Sequence, residues 1–346
     1  MNNIFPWQNE IWKILTKNKS SIGHAILLKG KKGIGKLEFA KSLAKSLLCE
    51  DRLSENQACG SCSGCRWFEQ AGHPDFYLVE PEALSESSGE SKEKPSSAKL
   101  KKKPSKQVSV AQIRALNDVV NMSSHRNGYK IVIINPAEAM NVAAANALLK
   151  NLEEPPPQTL FILVTHRPHH ILPTIHSRCR QIAMPVPDFN LAIDWLERQD
   201  VEGAQDSLAA VGYAPLAALE YNNGDYRLEH ENFINNISVL NGLNPILLAE
   251  ELQKSDLPTT ISWLQKWCYD LMSCRTTGKI RYHLSMQAEI EELVPKIEPL
   301  KLARYLRNLI DMQRLAHHTL NPRLFLEEAF ISYAMLMAPA RSNQRG

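Results

Sequence analysis

The chain has 346 residues, of which 44% are hydrophobic and 22% are charged, a composition typical of a globular protein with room for two or three domains. Its formal net charge of +3 is too small to indicate a nucleic-acid or membrane partner by itself. No apolar run approaches the ~18 residues that span a bilayer, and the start, MNNIFPWQNE, lacks the basic-then-apolar layout of a secretory signal. We therefore expect a cytoplasmic protein with no membrane partner.

Short apolar runs alternate with helical patterns through the first half of the chain. The run at 25–28 ends in a glycine-rich stretch, and a helical pattern follows over 37–48. Later runs at 76–79, 131–134 and 161–164 are short, β-branched or aromatic, and bounded by turns or helical patterns, which predicts buried strands. Strands that alternate with helices predict an α/β fold with a parallel sheet.

Residues 81–107 interrupt this alternation. The segment is rich in Ser, Lys, Glu and Pro and has almost no bulky apolar residue, so it cannot bury enough surface to offset the entropy lost on ordering. We predict a disordered surface insertion. Its second half, 99–106, is basic and could touch DNA, but charge runs in loops are usually solvated.

Helical periodicity dominates after Pro187. Apolar side chains recur at helical spacing in two stretches, 302–310 and 324–337, and we expect these stripes to be internal core rather than partner surface. Their members are Leu302, Tyr305, Leu306, Leu309 and Ile310, then Leu324, Phe325, Phe330, Tyr333 and Met337. The second half of the chain is therefore predicted to be all-helical.

A phosphate-loop motif lies between the first predicted strand and the first long helix. It reads GKKGIGK, with glycines at Gly30, Gly33 and Gly35 and a lysine at Lys36. Backbone amides of such a loop and of the following helix N-terminus cradle phosphates. Lys36 would contact the β and γ phosphates of a nucleotide.

Two positions needed for hydrolysis are altered. Leu37 stands where a Ser or Thr hydroxyl would bind magnesium. The strand at 131–134 ends in Asn135 and Pro136 instead of an acidic pair; Asn135 could hold a metal-bound water, whereas Pro136 can act neither as a base nor as a ligand. Glu138 stands nearby and needs no role beyond that of a surface charge. We expect no intrinsic ATPase activity, and ATP binding stays open.

Four of the seven cysteines form a cluster, at Cys49, Cys59, Cys62 and Cys65. In a reducing compartment such a cluster favours a metal over disulfides. Two-residue spacers let successive sulfurs converge on one ion, and four sulfurs complete a tetrahedral zinc site with no open position, so the site should be structural. An iron–sulfur cluster also accepts four cysteines, and unliganded thiols are a further alternative. Zinc is favoured because nothing else in the sequence suggests redox work.

Arg178 follows the last predicted strand of the first half, within the segment HILPTIHSRCR at 170–180. Taken alone, it could be an ordinary salt-bridge partner. In an oligomeric ATPase, an arginine at a domain edge can instead reach the γ-phosphate of a neighbouring subunit. Its planar, permanently charged guanidinium suits that task.

Together these motifs resemble one family, the delta-prime subunits of bacterial DNA polymerase III clamp loaders, which belong to the AAA+ group. The matching segments cover the first half of the chain in the order of the family, and NALLKNLEEPPP with Ser-Arg-Cys is highly specific. The segments are PWQ (6–8), HAILLKGKKGIGK (24–36), CGSCSGC (59–65), AGHPDF (71–76), NALLKNLEEPPP (146–157) and ILPTIHSRC (171–179), with NPRLFLEEA (321–329) in the second half.

The resemblance implies a domain organisation. Residues 1–185 would form an AAA+ phosphate-loop domain, a parallel sheet with helices on both faces, carrying the four-cysteine zinc module at 49–65. A small helical lid over 186–228 and an all-helical collar domain over 229–346 would follow. The collar would serve oligomerisation in a ring of five subunits.

The resemblance also implies a function. The chain would be a rigid, non-catalytic stator that works with the delta and gamma/tau subunits to load the beta sliding clamp on primed DNA during DNA replication. Arg178 would act in trans on ATP bound to the neighbouring subunit. Thr165 occupies the position of the family's first nucleotide sensor, although it could merely satisfy a hydrogen bond at the strand end.

Three other functions would use some of the same motifs. The ATP-hydrolysing gamma/tau subunits share the zinc motif, LEEPP and SRC, but Leu37 and Pro136 argue against that assignment, and so does Pro215, where the lid of a motor subunit would carry a sensing arginine. An autonomous ATPase or kinase would need another magnesium ligand in place of Leu37. A zinc-dependent DNA-binding module would need a basic, aromatic-bearing recognition helix, which the sequence does not provide.

Overall fold

The structure of the chain is a computed structural model. It describes residues 4–17, 22–53, 56–85, 104–122, 128–223, 226–239, 243–316, 318 and 320–337. Most of the predicted insertion at 81–107 lies outside the described residues. The chain splits into two compact units, Met1–Leu191 and Ala192–Gly346. Within the described ranges, no helix is both long enough and apolar enough to cross a membrane.

The first unit combines a parallel sheet with helices. Its strands are β1 (Ala25–Lys29), β2 (Phe76–Val79), β3 (Lys130–Ile134), β4 (Thr159–Thr165) and β5 (Arg180–Ala183). Its helices are α1 (Asn9–Lys17), α2 (Lys36–Leu48), α3 (Ser63–Glu69), α4 (Glu82–Ser85), α5 (Val110–Val120), α6 (Val142–Glu153) and α7 (Pro173–His176), with α8 (Phe189–Glu197) at the boundary between the units. Short 3-10 turns occupy Pro6–Gln8, Ala137–Ala139 and Pro168–His170.

The described strands form one sheet in the order β2-β3-β4-β1-β5, and every neighbouring pair is parallel. The order places β1 between β4 and β5, with Lys29 opposite Thr165 on one side and opposite Ala183 on the other. The four predicted strands are confirmed to within two residues at each end. The fifth, β5, is an addition that the sequence pattern did not indicate.

Continuous apolar runs form β1, β3 and β4 because helices cover the two faces of the sheet. Every residue of β3 and of β4 is buried. Alternate side chains such as Leu27, Val132 and Phe161 share a core with residues of α5 and α6. Helix α2 packs against β3 and β4. The α/β fold with helices on both faces of a parallel sheet is thus confirmed.

Lys130, at the start of β3, holds the end of α5 in place. Its side chain is buried, and Nζ donates hydrogen bonds to the carbonyl oxygens of Val119 at 2.7 Å and Val120 at 3.4 Å, and also to that of Met122. The last carbonyls of a helix lack intrahelical partners, and a cation placed there also complements the helix dipole. One side chain therefore joins the C-terminus of α5 to the sheet.

The second unit is helical throughout its described residues, as predicted. Its helices are α9 (Ala204–Ala210), α10 (Pro215–Asn222), α11 (Tyr226–Ser238), α12 (Pro245–Leu252), α13 (Leu257–Thr277), α14 (Gln287–Leu293), α15 (Pro299–Leu315) and α16 (Pro322–Met337). Short 3-10 turns at Leu284–Met286 and Val294–Lys296 flank α14. The boundary between lid and collar at 228–229 stays a prediction.

The core of this unit contains most of the two predicted apolar stripes. Tyr333 is fully buried, accepts a hydrogen bond from Trp267 Nε1 at 2.7 Å and donates one to the carbonyl oxygen of Ile237 at 2.9 Å. Ile310 and Leu324 depart from the prediction, because 53% and 62% of their surfaces are exposed. Each has the sequence spacing of the apolar stripe, but its side chain lies on a part of the helix surface that does not face the core.

Asp270, in α13, organises the loop that follows this helix. Its buried carboxylate accepts hydrogen bonds from the backbone N–H groups of Arg281, Tyr282 and His283, and from Nδ1 of His283 at 2.9 Å. Hydrogen bonds to a charged acceptor are the strong ones. His230 lies beside this group, with its ring centroid 5.6 Å from that of His283.

Candidate functional site

The phosphate loop connects α2 to β1, the strand that lies between β4 and the edge strand β5. Gly33 and Gly35 have φ angles of 80° and 83°, a left-handed backbone that other residues adopt only with strain. Gly35 is also the residue that precedes the first turn of α2. The loop therefore presents the backbone amides at the start of a helix, which is the arrangement that binds anions.

Lys36 is turned into this loop. Its side chain is buried, and Nζ donates a hydrogen bond to the carbonyl oxygen of Gly30 at 2.8 Å and another to that of Lys31. Burial lowers the pKa of Lys36 to about 8, against the opposing effect of the nearby carboxylates of Glu138 and Glu38. An anion in the loop would favour the charged form of this lysine.

The N-terminal segment is fastened to the same loop. Trp7 Nε1 and Gln8 Nε2 both donate to the carbonyl oxygen of Ile34 at 3.0 Å, and Gln8 Nε2 donates also to that of Gly35 at 2.8 Å. Gln8 is fully buried. A Cβ atom on Gly35 would lie 2.5 Å from the ring of Phe5, so a side chain at position 35 would displace this segment. The sequence identifies PWQ only as a segment that matches the family, and no sequence pattern predicted its contact with the phosphate loop.

Side chains at and just after the C-terminal ends of β3 and β4 lie at the same end of the parallel sheet as the phosphate loop. Thr165 ends β4 and is fully buried, and its Oγ1 accepts a hydrogen bond from the backbone N–H of Arg167 at 3.2 Å. Glu138 Oε1 accepts one from the backbone N–H of His166 at 2.9 Å. Glu138 is thus more than a surface charge: it joins the turn after β3 to the end of β4.

The altered catalytic positions lie in this same region. Leu37, in the first turn of α2, offers no oxygen to a metal. Asn135 follows β3, and its Nδ2 donates a hydrogen bond to Glu80 Oε1 at 2.7 Å. Pro136 has neither a carboxylate nor a backbone N–H. The structure therefore brings together Gly30, Gly33, Gly35, Lys36 and Thr165, but no acidic pair follows β3.

The four cysteines converge on one point, as predicted. Their sulfurs all lie within 4.8 Å of one another, with Sγ–Sγ distances of 3.5 Å for Cys49–Cys59, 3.8 Å for Cys49–Cys62 and 4.0 Å for Cys59–Cys65. Four sulfurs placed tetrahedrally at ~2.3 Å from a zinc ion would be about 3.8 Å apart. The cluster therefore has the spacing that a tetrahedral metal ion requires.

Backbone N–H groups donate hydrogen bonds to sulfurs of the cluster. Backbone N–H groups of Cys59, Cys62 and Cys65 donate to the sulfurs of Cys49, Cys59 and Cys62 respectively, at 3.2 to 3.4 Å. Hydrogen bonds from the backbone of Ser61 and Cys62 lower the pKa of Cys59 to about 6, whereas burial raises the pKa of Cys49 and of Cys65. A cation at the centre would favour the thiolate form of all four.

Arg178 lies apart from the phosphate loop, on the turn between α7 and β5. Its guanidinium forms a salt bridge with Glu153 at 2.6 Å, and 34% of the arginine side chain stays exposed. Strand β5 is an edge of the described sheet. Arg178 is therefore a half-exposed cation next to the edge strand of the sheet. It also has a salt-bridge partner, as expected if it were an ordinary structural arginine.

Comparisons with known proteins identify the family. Residues 7–188 match the family model described as "DNA polymerase III, delta subunit", and residues 226–333 match "DNA polymerase III, delta subunit, C terminal". The DNA polymerase III subunit delta' of Pseudomonas aeruginosa is 32% identical over 98% of this chain and 100% of its own length.

Two further relatives carry the same description. The DNA polymerase III subunit delta' of Escherichia coli K12 is 27% identical over 97% of this chain and 96% of its own. That of Bacillus subtilis is 36% identical over 58% of this chain and 54% of its own. The chain belongs to the family of delta-prime subunits of DNA polymerase III clamp loaders.

Proposed function

We propose that this chain is the stator of its clamp loader and supplies Arg178 in trans to an ATPase neighbour. It would act in the cytoplasm with the delta and gamma/tau subunits to load the beta sliding clamp on primed DNA. The observation that carries the proposal is a half-exposed arginine beside the edge strand of the sheet, in a chain that has Leu37 and Pro136 at two positions needed for hydrolysis. A cation suited to catalysis in trans is thus combined with altered metal-ligand positions.

The chemistry assigned to Arg178 is electrostatic. Phosphoryl transfer spreads negative charge over the oxygens of the transferred group, and a guanidinium that reaches them stabilises the transition state. Arg178 has a permanent charge and a planar set of donors for this purpose. Thr165, whose hydroxyl accepts a hydrogen bond from Arg167 N–H, needs no part in that step.

The test is the clamp- and DNA-stimulated ATPase of the fully assembled loader with Arg178→Ala. Loss of such an arginine lowers turnover by roughly 10³-fold in GTPase systems, and a loader with several ATP sites should lose less. Arg180→Ala is the matched control, since Arg180 is also exposed and lies two residues further along. Unchanged turnover in a loader that still assembles would rule out a role in trans.

Intrinsic ATP hydrolysis is the second point to test. The loop of this chain retains Lys36 and the backbone amides, so we propose that it keeps a place for phosphates while lacking hydrolytic activity. The purified chain with ATP and magnesium should show no turnover above that of a Lys36→Ala control. Appreciable turnover that Lys36→Ala abolishes would favour the gamma/tau-type or an autonomous ATPase function instead.

We further propose that the four-cysteine cluster holds a structural zinc ion. Support comes from the sulfur spacing and from the N–H donors that stabilise thiolates. Metal analysis of the purified chain should give about one zinc and negligible iron per chain, and Cys65→Ser should lower that ratio. Cys274→Ser is the control, because Cys274 lies in α13 outside the cluster. Stoichiometric iron with visible absorption would indicate an iron–sulfur cluster.

A further inference from the structure

Arg178 is docked on its own subunit by three contacts. One guanidinium nitrogen pairs with Glu153 Oε1 at 2.6 Å. The other donates to the carbonyl oxygen of Thr174 at 3.0 Å and to Ser177 Oγ at 3.2 Å. Thr174 lies in α7, and Ser177 lies in the turn between α7 and β5 that carries Arg178 itself. The side chain is therefore folded back onto its own turn and the preceding helix α7 rather than extended away from them.

Glu153 comes from a different element. It is the last residue of α6, and α6 packs against α7, which immediately precedes the turn of Arg178. The position of the Glu153 carboxylate is thus set by helix packing. It is half-exposed, at 48%, and an ion pair that keeps this much contact with water shifts an equilibrium by only about 1.5- to 5-fold.

The charge of this pair matters for a phosphate ligand. A guanidinium that attracts a γ-phosphate does so through its net positive charge, and a carboxylate 2.6 Å away cancels most of that charge at the distance of an incoming anion. The carboxylate would also repel the phosphate directly. Arg178 therefore has to leave Glu153 before it can act on a nucleotide with its full charge.

We propose that Glu153 is a positioning residue that latches Arg178 in a neutral ion pair until the phosphate of a neighbouring nucleotide competes it away. The inference rests on the proposed role of Arg178 in trans. The ion pair is weak enough to open when a multiply charged phosphate arrives. Until then it lowers the affinity of Arg178 for other anions.

The first test uses the free, full-length chain and does not involve ATP. Glu153→Gln keeps the shape of the side chain and an acceptor oxygen but removes the charge. Glu154→Gln is the matched control, because Glu154 is also exposed and forms no salt bridge within the described residues. We expect phenylglyoxal to modify Arg178 about 2- to 5-fold faster in Glu153→Gln than in the control or the parent, as measured by peptide mass spectrometry. Equal rates would overturn the latch.

The second test uses the assembled loader. At subsaturating clamp and primed DNA, Glu153→Gln should raise ATP turnover about 2- to 5-fold, and Glu154→Gln should not. In the Arg178→Ala background the same exchange should have no effect, which a purely structural role of Glu153 would not produce. Lower turnover in Glu153→Gln would mean that the carboxylate orients Arg178 for catalysis, and the latch would be wrong.

The two proposals fail in different ways. If Arg178→Ala leaves turnover unchanged, the role in trans fails, whatever the labelling rates show. If Arg178→Ala lowers turnover but Glu153→Gln changes neither the labelling rate nor the turnover, the role in trans stands and the latch fails.

Discussion

Replacing Gln8 with methionine should loosen the phosphate loop without unfolding the first unit. The exchange keeps most of the buried volume but removes the two hydrogen bonds that Gln8 donates to the loop, to the carbonyl oxygens of Ile34 at 3.0 Å and Gly35 at 2.8 Å, and the one that its Oε1 accepts from the backbone N–H of Phe5 at 3.3 Å. Neither carbonyl oxygen of the loop is left unpaired, because Trp7 Nε1 still donates to Ile34 and the backbone N–H of Phe39 still donates to Gly35. Each lost bond to the loop should therefore cost about 0.5–1.5 kcal/mol rather than the larger penalty of an orphaned group, or about 1–3 kcal/mol for the two loop bonds together.

Amide hydrogen exchange measures this cost where it arises. Since 1.4 kcal/mol is a factor of ten, amides of residues 30–39 that exchange through local opening should exchange about 5- to 150-fold faster in Gln8→Met. Gln199→Met is the control, because Gln199 is exposed and its Nε2 donates to the adjacent carbonyl of Arg198. Unchanged protection across 30–39 would refute the view that Gln8 stabilises the loop.

A double variant sharpens the same prediction. Trp7 and Gln8 share the carbonyl oxygen of Ile34 as their acceptor, so only the loss of both donors leaves it unpaired. Trp7→Phe combined with Gln8→Met should therefore cost about 1–3 kcal/mol more than the sum of the single exchanges. Strict additivity in the exchange data would show that the shared acceptor has another partner.

Three further predictions concern stability. Asp270→Asn removes the charge that four donors share, and we expect a loss of about 2–4 kcal/mol in thermal or urea unfolding of the full chain. Burial lowers the pKa of His230 to about 3, whereas the unfolded chain has a value of about 6.5. The unfolded state therefore binds a proton that the folded state does not, so the free energy of unfolding should fall as the pH drops from about 6.5 towards 3. In His230→Gln the urea midpoint should depend less on pH over that range. Lys130→Met removes the donor to the carbonyl oxygens of Val120 and Met122, whereas that of Val119 still accepts from the backbone N–H of Met122 at 3.3 Å. It should accelerate amide exchange in α5, at a cost of about 1–3 kcal/mol.

Each of these has a control and a contrary outcome. Asp311→Asn, at an exposed position, should leave the unfolding midpoint unchanged, and an equal effect of both exchanges would contradict the role of Asp270. A pH profile with the same slope in His230→Gln would assign the titration to another group. Exchange rates in α5 that do not respond to Lys130→Met would show that water satisfies its last carbonyls.

The strands that sequence patterns predict correctly are those whose apolar content is continuous. Residues 131–134 and 161–164 are buried on both faces, and a run of β-branched or large apolar residues is sufficient to indicate this. Strand β5, Arg180–Ala183, escapes such a pattern because it pairs with β1 alone and three of its four residues are exposed. Its strand character derives from pairing rather than from burial.

The site residues that sequence reasoning finds are those close together in the chain. The glycines, Lys36 and the four cysteines follow motifs of fixed spacing, and the structure brings each set together. The contacts of Gln8 with Ile34 and of Arg178 with Glu153 join residues that are 26 and 25 positions apart. The spacing of residues along the chain does not indicate such a contact, because the contact depends on how helices, strands and loops pack against one another.

The attachment of residues 5–8 to the phosphate loop has a consequence for how this sequence can vary. A loop that depends on bound phosphate for its shape requires every ligand-binding residue to be retained. Here the carbonyls of Ile34 and Gly35 are held by Trp7 and Gln8, so the loop has internal support for its conformation. Positions that serve metal chemistry alone, such as 37 and 136, can then accept a leucine and a proline without disturbing the scaffold that carries Arg178.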